Sequence, residues 1–413
     1  MNIQKQTSGD HSTNIQAAGD VHLGISEKNL EEILGRVISP NNDNISKIIT
    51  LIEIGKTSQA QEQIDRLVEA KISILAEELV DLATLQSLIN IDKSNVILEK
   101  ALMLSPNKPR VLNVYALAQM DKGRTDEAEK IFIKALEVSD DDDIKEQIIG
   151  NLGVLYKNSG RYKEAIDNLE LAIEFAKKSN QNIGLVKHLN NLGACYHNIG
   201  MQDDAITKLE ESLTKINVLI DSSDEKEKKK NLKSVQASVF TNIAITLKNK
   251  YRNSNNTDFL KQSISYLERA IDIEESLDNI GLLGRHFGNL AESYRLLGDR
   301  ENHEKFIKKS FSAFKKYGTQ KDKLTSEMNM GLFFSHYDNH PEALMYFTNL
   351  LSNPDLKKFP KLNVLTLINT SHSYIQSNQK YRSKDLIREA HELSLMHNLK
   401  YEAEYIESNL TII

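Results

Sequence analysis

The sequence predicts an all-α protein built as a stack of repeated helical hairpins, preceded by a short segment of β character. Three observations predict it. Only 6 Pro and 18 Gly interrupt 413 residues, of which 40% are hydrophobic, a composition too apolar and too unbroken for disorder. "GNLGVLYKNSGRYKEAIDNLELAI" begins at residue 150 and "NNLGACYHNIGMQDDAITKLEESL" at residue 190, so Leu, Gly, Tyr, Gly, Ala and Leu recur in register. The first 26 residues, in contrast, carry no helical period.

Within "HLNNLGACYHNIG", Leu189, Leu192, Gly193 and Tyr196 share one side of a helix, and Gly200 terminates it. "QDDAITKLEESL" starts a second helix, with Ala205, Leu209 and Ser212 facing back. Small residues let the two backbones approach and large ones fill the remaining space. One such hairpin cannot bury both faces, so it must stack on copies of itself. The frame runs through seven units. They are carried by Ala116, Gly123 and Ala128; Gly153, Gly160 and Ala165; Gly193, Gly200 and Ala205; Ala244, Ser263 and Ala270; Ala291, Gly298 and Ser310; Gly331, Ala343 and Phe347; and Ser371, Ile387 and Ala390. Two weaker units come first, with Gly55, Ala60 and Ile64, then Leu98, Ala101 and Pro106.

This pattern resembles the tetratricopeptide repeat, in the longer form of about forty residues seen in kinesin light chains and bacterial peptide-sensing regulators. The resemblance covers about residues 45–395. It implies a right-handed superhelix with a concave groove. The expected divisions are 1–26, a β-type segment; 27–107, N-terminal helices and degenerate repeats; 108–395, the repeat superhelix; and 396–413, a capping helix. Two polar insertions, 221–230 and 251–258, read as solvated loops. The acidic run at 139–143 reads as the start of a helix, where carboxylates meet the positive end of the dipole.

In residues 1–26, apolar positions alternate around Ile15, Val21, Leu23 and Ile25 between Gly-Asp turns. Strands this short cannot stand alone in water. The segment resembles N-terminal stretches ahead of effector, NTPase or repeat domains in bacterial signalling and defence proteins, through Gly9, Asp10, Ser12, Asn14, Ile15, Gly19, Asp20 and Val21. The reading adopted is homo-oligomerisation through Ile15, Val21, Leu23 and Ile25. A disordered tail and docking onto the chain's own first helices are the alternatives.

Six consecutive units place an asparagine one position before the Leu-Gly type site: Asn151, Asn191, Asn242, Asn289, Asn329 and Asn369. In the first helix of each unit this position lies away from the packing face. The resemblance places it on the groove, where some repeat proteins hold peptides with such a ladder. An amide offers a donor pair and an acceptor, enough to grip an extended backbone. The alternative is that the amides link neighbouring helices. Lys157, Lys187, Lys248, Arg285 and Arg295 fall on or beside the same face, with Glu292 as an exception. They favour an acidic peptide or C-terminus if they are not simply solvated. Asn158 and Asn198, further along the same helices, extend the grip or serve as turn residues.

The chemistry of other function classes does not appear. The net charge of −6 makes no global case for nucleic acid. Cys195 is the only cysteine, which excludes intramolecular disulfides and cysteine-based zinc sites. "IEIGKTS" has Thr50 where a phosphate loop needs its first Gly. His336 and His340 have no evident third metal ligand. No catalytic constellation emerges, so no enzyme activity, cofactor or metal is expected. No apolar leader or membrane-spanning run appears, and a cytoplasmic location is expected. The function expected is a protein-interaction scaffold binding an extended segment of a partner. The alternative is a regulator whose superhelix changes pitch on binding a small signal peptide.

Overall fold

The structure is a computed structural model describing residues 5–8, 12–15, 47–48, 50–51, 54, 56–87 and 90–409. Seventeen α-helices lie among the described residues. The chain divides into two units, Met1–Asn151 and Leu152–Ile413.

In the first unit, Lys5–Ser8 pairs antiparallel with Ser12–Ile15, Lys5 opposite Ile15. Of the apolar positions assigned to oligomerisation, Ile15 ends this ladder, and Val21, Leu23 and Ile25 lie outside the described residues. Then come α1 (Thr57–Ser87), α2 (Ile91–Leu104), α3 (Pro109–Asp121), α4 (Thr125–Glu137) and the beginning of α5 (Asp142–Asn158). No Gly or Pro falls between residues 57 and 87, so nothing stops α1. The helix carrying Ala60 and Ile64 therefore runs on for 31 residues and becomes the first helix of the next hairpin. Its Ala76, Val80 and Ala83 pack on Leu98 and Ala101 of α2 and Val111 of α3. The acidic run caps α5 as expected: the Asp141 carboxylate accepts from the Asp143 and Ile144 amides at 2.8 and 3.1 Å.

The second unit continues as α6 (Tyr162–Lys178), α7 (Asn182–Asn198), α8 (Gln202–Asp221), α9 (Lys226–Ser254), α10 (Thr257–Ser276), α11 (Ile280–Leu297) and α12 (Arg300–Tyr317). After these come α13 (Gln320–His336), α14 (His340–Ser352), a 3-10 turn at Pro354–Lys358, α15 (Pro360–Gln376), α16 (Lys380–Met396) and α17 (Lys400–Asn409). Helices pair as hairpins, and packing follows the repeated frame. A methyl added at Gly193 would lie 2.6 Å from Leu209 Cγ, and one at Gly331 2.5 Å from the Phe347 ring. Glycine there is a requirement of backbone approach. Buried serines tie the hairpins further: Ser212 donates to the Val186 carbonyl at 2.9 Å, Ser263 to Ala244 at 2.8 Å and Ser310 to Gly284 at 2.7 Å.

Seven hairpin turns each use one left-handed residue. Gly123, Gly160, Gly200 and Gly298 supply it at φ 74–84°, while Asn255, Asp338 and Asn378 take the same role at φ 55–58°. Asparagine and aspartate tolerate that region better than other side chains, which is why the frame survives the loss of its glycine.

Both insertions differ from expectation. Residues 226–230 and 251–254 are helical, and together they lengthen α9 to 29 residues. Lys and Glu are good helix formers, and Lys230 pairs with Glu227 one turn away at 2.8 Å. At the C-terminal end, α17 seats Ile406 against Val364, Leu367, Ile387 and Ala390. None of the helices in the described residues is long and apolar enough to cross a membrane.

Candidate functional site

The ladder asparagines sit on the first helix of each hairpin, and all six are half-buried. Four of them bond to the preceding first helix, in two alternating ways. Asn151 donates to Asn113 Oδ1 at 3.0 Å, and Asn242 donates to Asn190 Oδ1 at 2.9 Å. Asn191 instead accepts from Lys157 Nζ at 2.6 Å, and Asn289 from Lys248 Nζ at 3.4 Å. Asn113 and Asn190 both stand one position before the ladder register, and Lys157 and Lys248 both stand six positions after a ladder asparagine. Asn369 turns back to the Leu365 carbonyl of its own helix at 2.8 Å. No partner among the described residues reaches either end of Asn329, Nδ2 of Asn191 or Oδ1 of Asn242. The ladder therefore ties first helices together and keeps unused hydrogen-bonding capacity on the same face.

The cations divide. Lys187 and Arg285 are exposed, with no partner among the described residues. Lys157 is half-buried and Lys248 buried: their ammonium groups turn in to the ladder, and burial lowers both pKa values, that of Lys248 to about 8. Arg295 is held by its own helix through Glu292, at 2.7 and 2.8 Å. Burial pushes the Glu292 carboxyl up, but the Arg295 hydrogen bond and the charges of Arg295, Lys248 and Arg252 outweigh it and hold the pKa below its ordinary value. Asn158 is exposed. Asn198 is exposed too, and donates to Ala194 of its own helix at 2.8 Å.

Two cavities open along this face. The larger, about 650 Å³, has α12 as its floor, through His303, Ile307, Ser310 and Phe314. Its walls are α11, with Arg285, Asn289 and Glu292, and α13, with Thr325, Asn329 and Phe333; Lys248 of α9 closes one end. The smaller, about 460 Å³, lies between α9 and α11. Ser234, Ser238, Thr241 and Asn242 line one side and Arg285 and His286 the other, with Glu274 of α10 as floor. Arg285 borders both. Thr241 Oγ1 meets His286 Nδ1 at 2.8 Å, while His286 Nε2 is buried with no partner among the described residues. Burial holds the His286 and His303 rings down to a pKa of about 4, so both are neutral near pH 7.

Of this set, the sequence reading missed Asn113, Asn190, Glu274, His286 and His303. Asn113 and Asn190 were legible in principle as a second register beside the first. The two histidines and Glu274 carry no spacing signal. Cys195 is buried, and burial pushes its thiol up to about 11. Among the described residues no group of His, Cys, Asp and Glu is arranged to hold a metal.

The alternation of helices fits what comparison finds. A family model described as "Tetratricopeptide repeat" matches residues 108–178 and 145–215. The chain carries tetratricopeptide repeats. Solved structures agree on the fold. The STAND protein with a tetratricopeptide repeat sensor from Pyrococcus horikoshii is 13% identical, covering 92% of this chain and 54% of its own, at a TM-score of 0.52. This chain thus spans about half the length of that protein. A Rap protein complexed with competence and sporulation factor is 11% identical, covering 83% and 97%, at 0.52. The human IFIT1 dimer with PPP-AAAA is 13% identical, covering 89% and 85%, at 0.50. At these identities the likeness is one of fold. A search among curated proteins finds no match. Tetratricopeptide repeats form protein-interaction scaffolds, and this chain is one.

Proposed function

We propose that the first-helix face of the repeats binds an extended segment of a partner protein. One observation carries the reading: the row of half-buried asparagines keeps unused amide groups beside two cavities on that face. An amide with one end tied to the scaffold is pre-oriented, so little rotamer entropy is lost when its other end meets a ligand backbone. Cavities of a few hundred Å³ suit side chains of such a segment. The cations Arg285 and Lys187, unpaired among the described residues, favour an acidic partner by steering.

The test is selection of binders from a random-peptide library on the full chain, followed by titration of the enriched peptides. Asn242→Ala with Asn329→Ala lowers affinity about tenfold, with helix content unchanged by circular dichroism. Undiminished affinity in that double variant rejects the reading.

Presentation of the partner in a homo-oligomer is part of the proposal, and rests on the sequence of residues 1–26. Light scattering on the full chain and on a chain starting at residue 27 checks it, since the shorter chain should lose the higher mass. The signalling or defence setting has the same basis. The alternative, a regulator that changes pitch on binding a small peptide, draws on the likeness to the Rap protein bound to competence and sporulation factor. Solution scattering separates the two, because only the regulator changes its radius of gyration on binding.

A further inference from the structure

Two charges of opposite sign are buried on the proposed binding face, and neither has an ion-pair partner among the described residues. Lys248 is 5% exposed, and its one hydrogen bond, to Asn289, is long at 3.4 Å. Glu274 is 1% exposed. It accepts from Ser234 at 2.9 Å and from Asn279 at 2.6 Å, both neutral donors. Removing a charge from water is costly unless an opposite charge compensates it. Glu292 attracts Lys248 and offsets part of that cost, but its carboxylate is held by Arg295 and Arg252 at 2.7–2.8 Å and makes no contact ion pair with the ammonium among the described residues. Each buried charge borders a cavity: Lys248 the larger one, Glu274 the smaller. The smaller cavity also holds the 5% exposed His286 with its unpartnered Nε2.

We propose that the two cavities together read a dipolar peptide segment, with a basic group seated over Glu274 and a carboxylate seated at Lys248. The inference rests on the peptide-binding reading above and adds the ligand's charge pattern and spacing. Arg285, exposed on the wall between the cavities, adds a second cation to the carboxylate end. The hydroxyl of Ser238 and the Oδ1 of Asn242 offer neutral hydrogen bonds to the basic end. Ser234, bonded to Glu274, and Lys248 lie on the same helix, separated by about 21 Å of axis. The lysine side chain reaches back toward Asn289, which brings the two charges to on the order of 15–20 Å. An extended chain covers that distance in roughly five or six residues.

The experiment uses the full chain and fluorescent, end-capped peptides of about nine residues, each with one Arg and one Glu in a neutral background. Charge separation and order are varied, and a random-sequence pool of the same length is included. Affinity should peak near a separation of five or six residues, about tenfold above the same composition with the charges adjacent. Versions with the Glu side chain replaced by a free C-terminus, or the Arg by a free amine, show which source of each charge is preferred. Lys248→Met should lower affinity about tenfold for the dipolar peptide and leave its Glu→Gln version unaffected. Glu274→Gln should show the mirror dependence on Arg. The peptide series on the unaltered chain stands even if either variant folds poorly. Affinity indifferent to charge spacing overturns this inference and leaves peptide binding standing. Failure of every peptide, the random pool included, overturns both.

Discussion

The joints at Asn191 and Asn289 differ from the joint at Asn329 in the cation six positions along the helix and in the residue one turn before it. At the first two, a lysine six positions beyond the preceding ladder asparagine crosses to the next one, Lys157 to Asn191 and Lys248 to Asn289. The residue six positions beyond Asn289 is Arg295, and Glu292 one turn earlier captures it. No tie among the described residues crosses to Asn329, which lines the larger cavity together with Lys248 and Asn289 of the tied joint. A repeat protein can thus keep its packing frame while a local carboxylate changes whether the cation at this position reaches the next ladder asparagine. His197 occupies the corresponding position in α7; it meets Asn249 at 3.2 Å, and Asn190 makes the crossing to Asn242 instead.

Several perturbations break or sharpen this contrast. The largest effects come from the frame that both regions share. Gly193→Val and Gly331→Val push a side chain into Leu209 and Phe347, and each should cost about 2–4 kcal/mol in chemical denaturation. A much larger loss at one site than at the other would mean that the two regions are not packed alike.

Acid comes next. The buried His286 and His303 rings titrate near 4, while an unfolded histidine titrates near 6.5. Between those values the unfolded chain binds protons that the folded chain refuses. Stability is therefore complete above about pH 6.5 and falls as pH drops toward 4, by on the order of 2–3 kcal/mol per ring. Hydrogen exchange at pH 7 and pH 5 should show α11–α13 losing protection before α5–α8.

The two lysines then separate. Lys157→Met leaves the Asn191 carbonyl without its strut and should cost about 1 kcal/mol. Lys248→Met removes a buried charge that has no contact ion pair among the described residues and should be neutral or stabilising by about 1 kcal/mol. Thermal melts of the two variants check the difference in sign. The smallest effect is expected from Glu292→Gln, under about 1 kcal/mol. It frees Arg295 toward Asn329, and the readout is loss of cleft binding by the selected peptides.

Much of this architecture was legible from spacing. Gly153, Gly193 and Gly331 marked the close approaches, and Asn151 through Asn369 marked one helix position repeated. Spacing places a residue on a face but does not choose its partner. Lys248 and Arg295 look alike in the sequence, and only the local competitor Glu292 separates them. The insertions were misread because polar character suggested solvated loops, while Lys and Glu at 226–230 also favour helix. Glu274, His286 and His303 stayed invisible because their significance comes from burial between helices distant in sequence.

The lone thiol of Cys195 has a practical consequence for such work. Sealed in the repeat interior and held protonated at neutral pH, it resists alkylating reagents. A cysteine introduced on an exposed helix surface becomes the sole labelling point without removing the native one. Two such cysteines then carry a pair of optical probes that reports distances across the repeats with the native thiol in place.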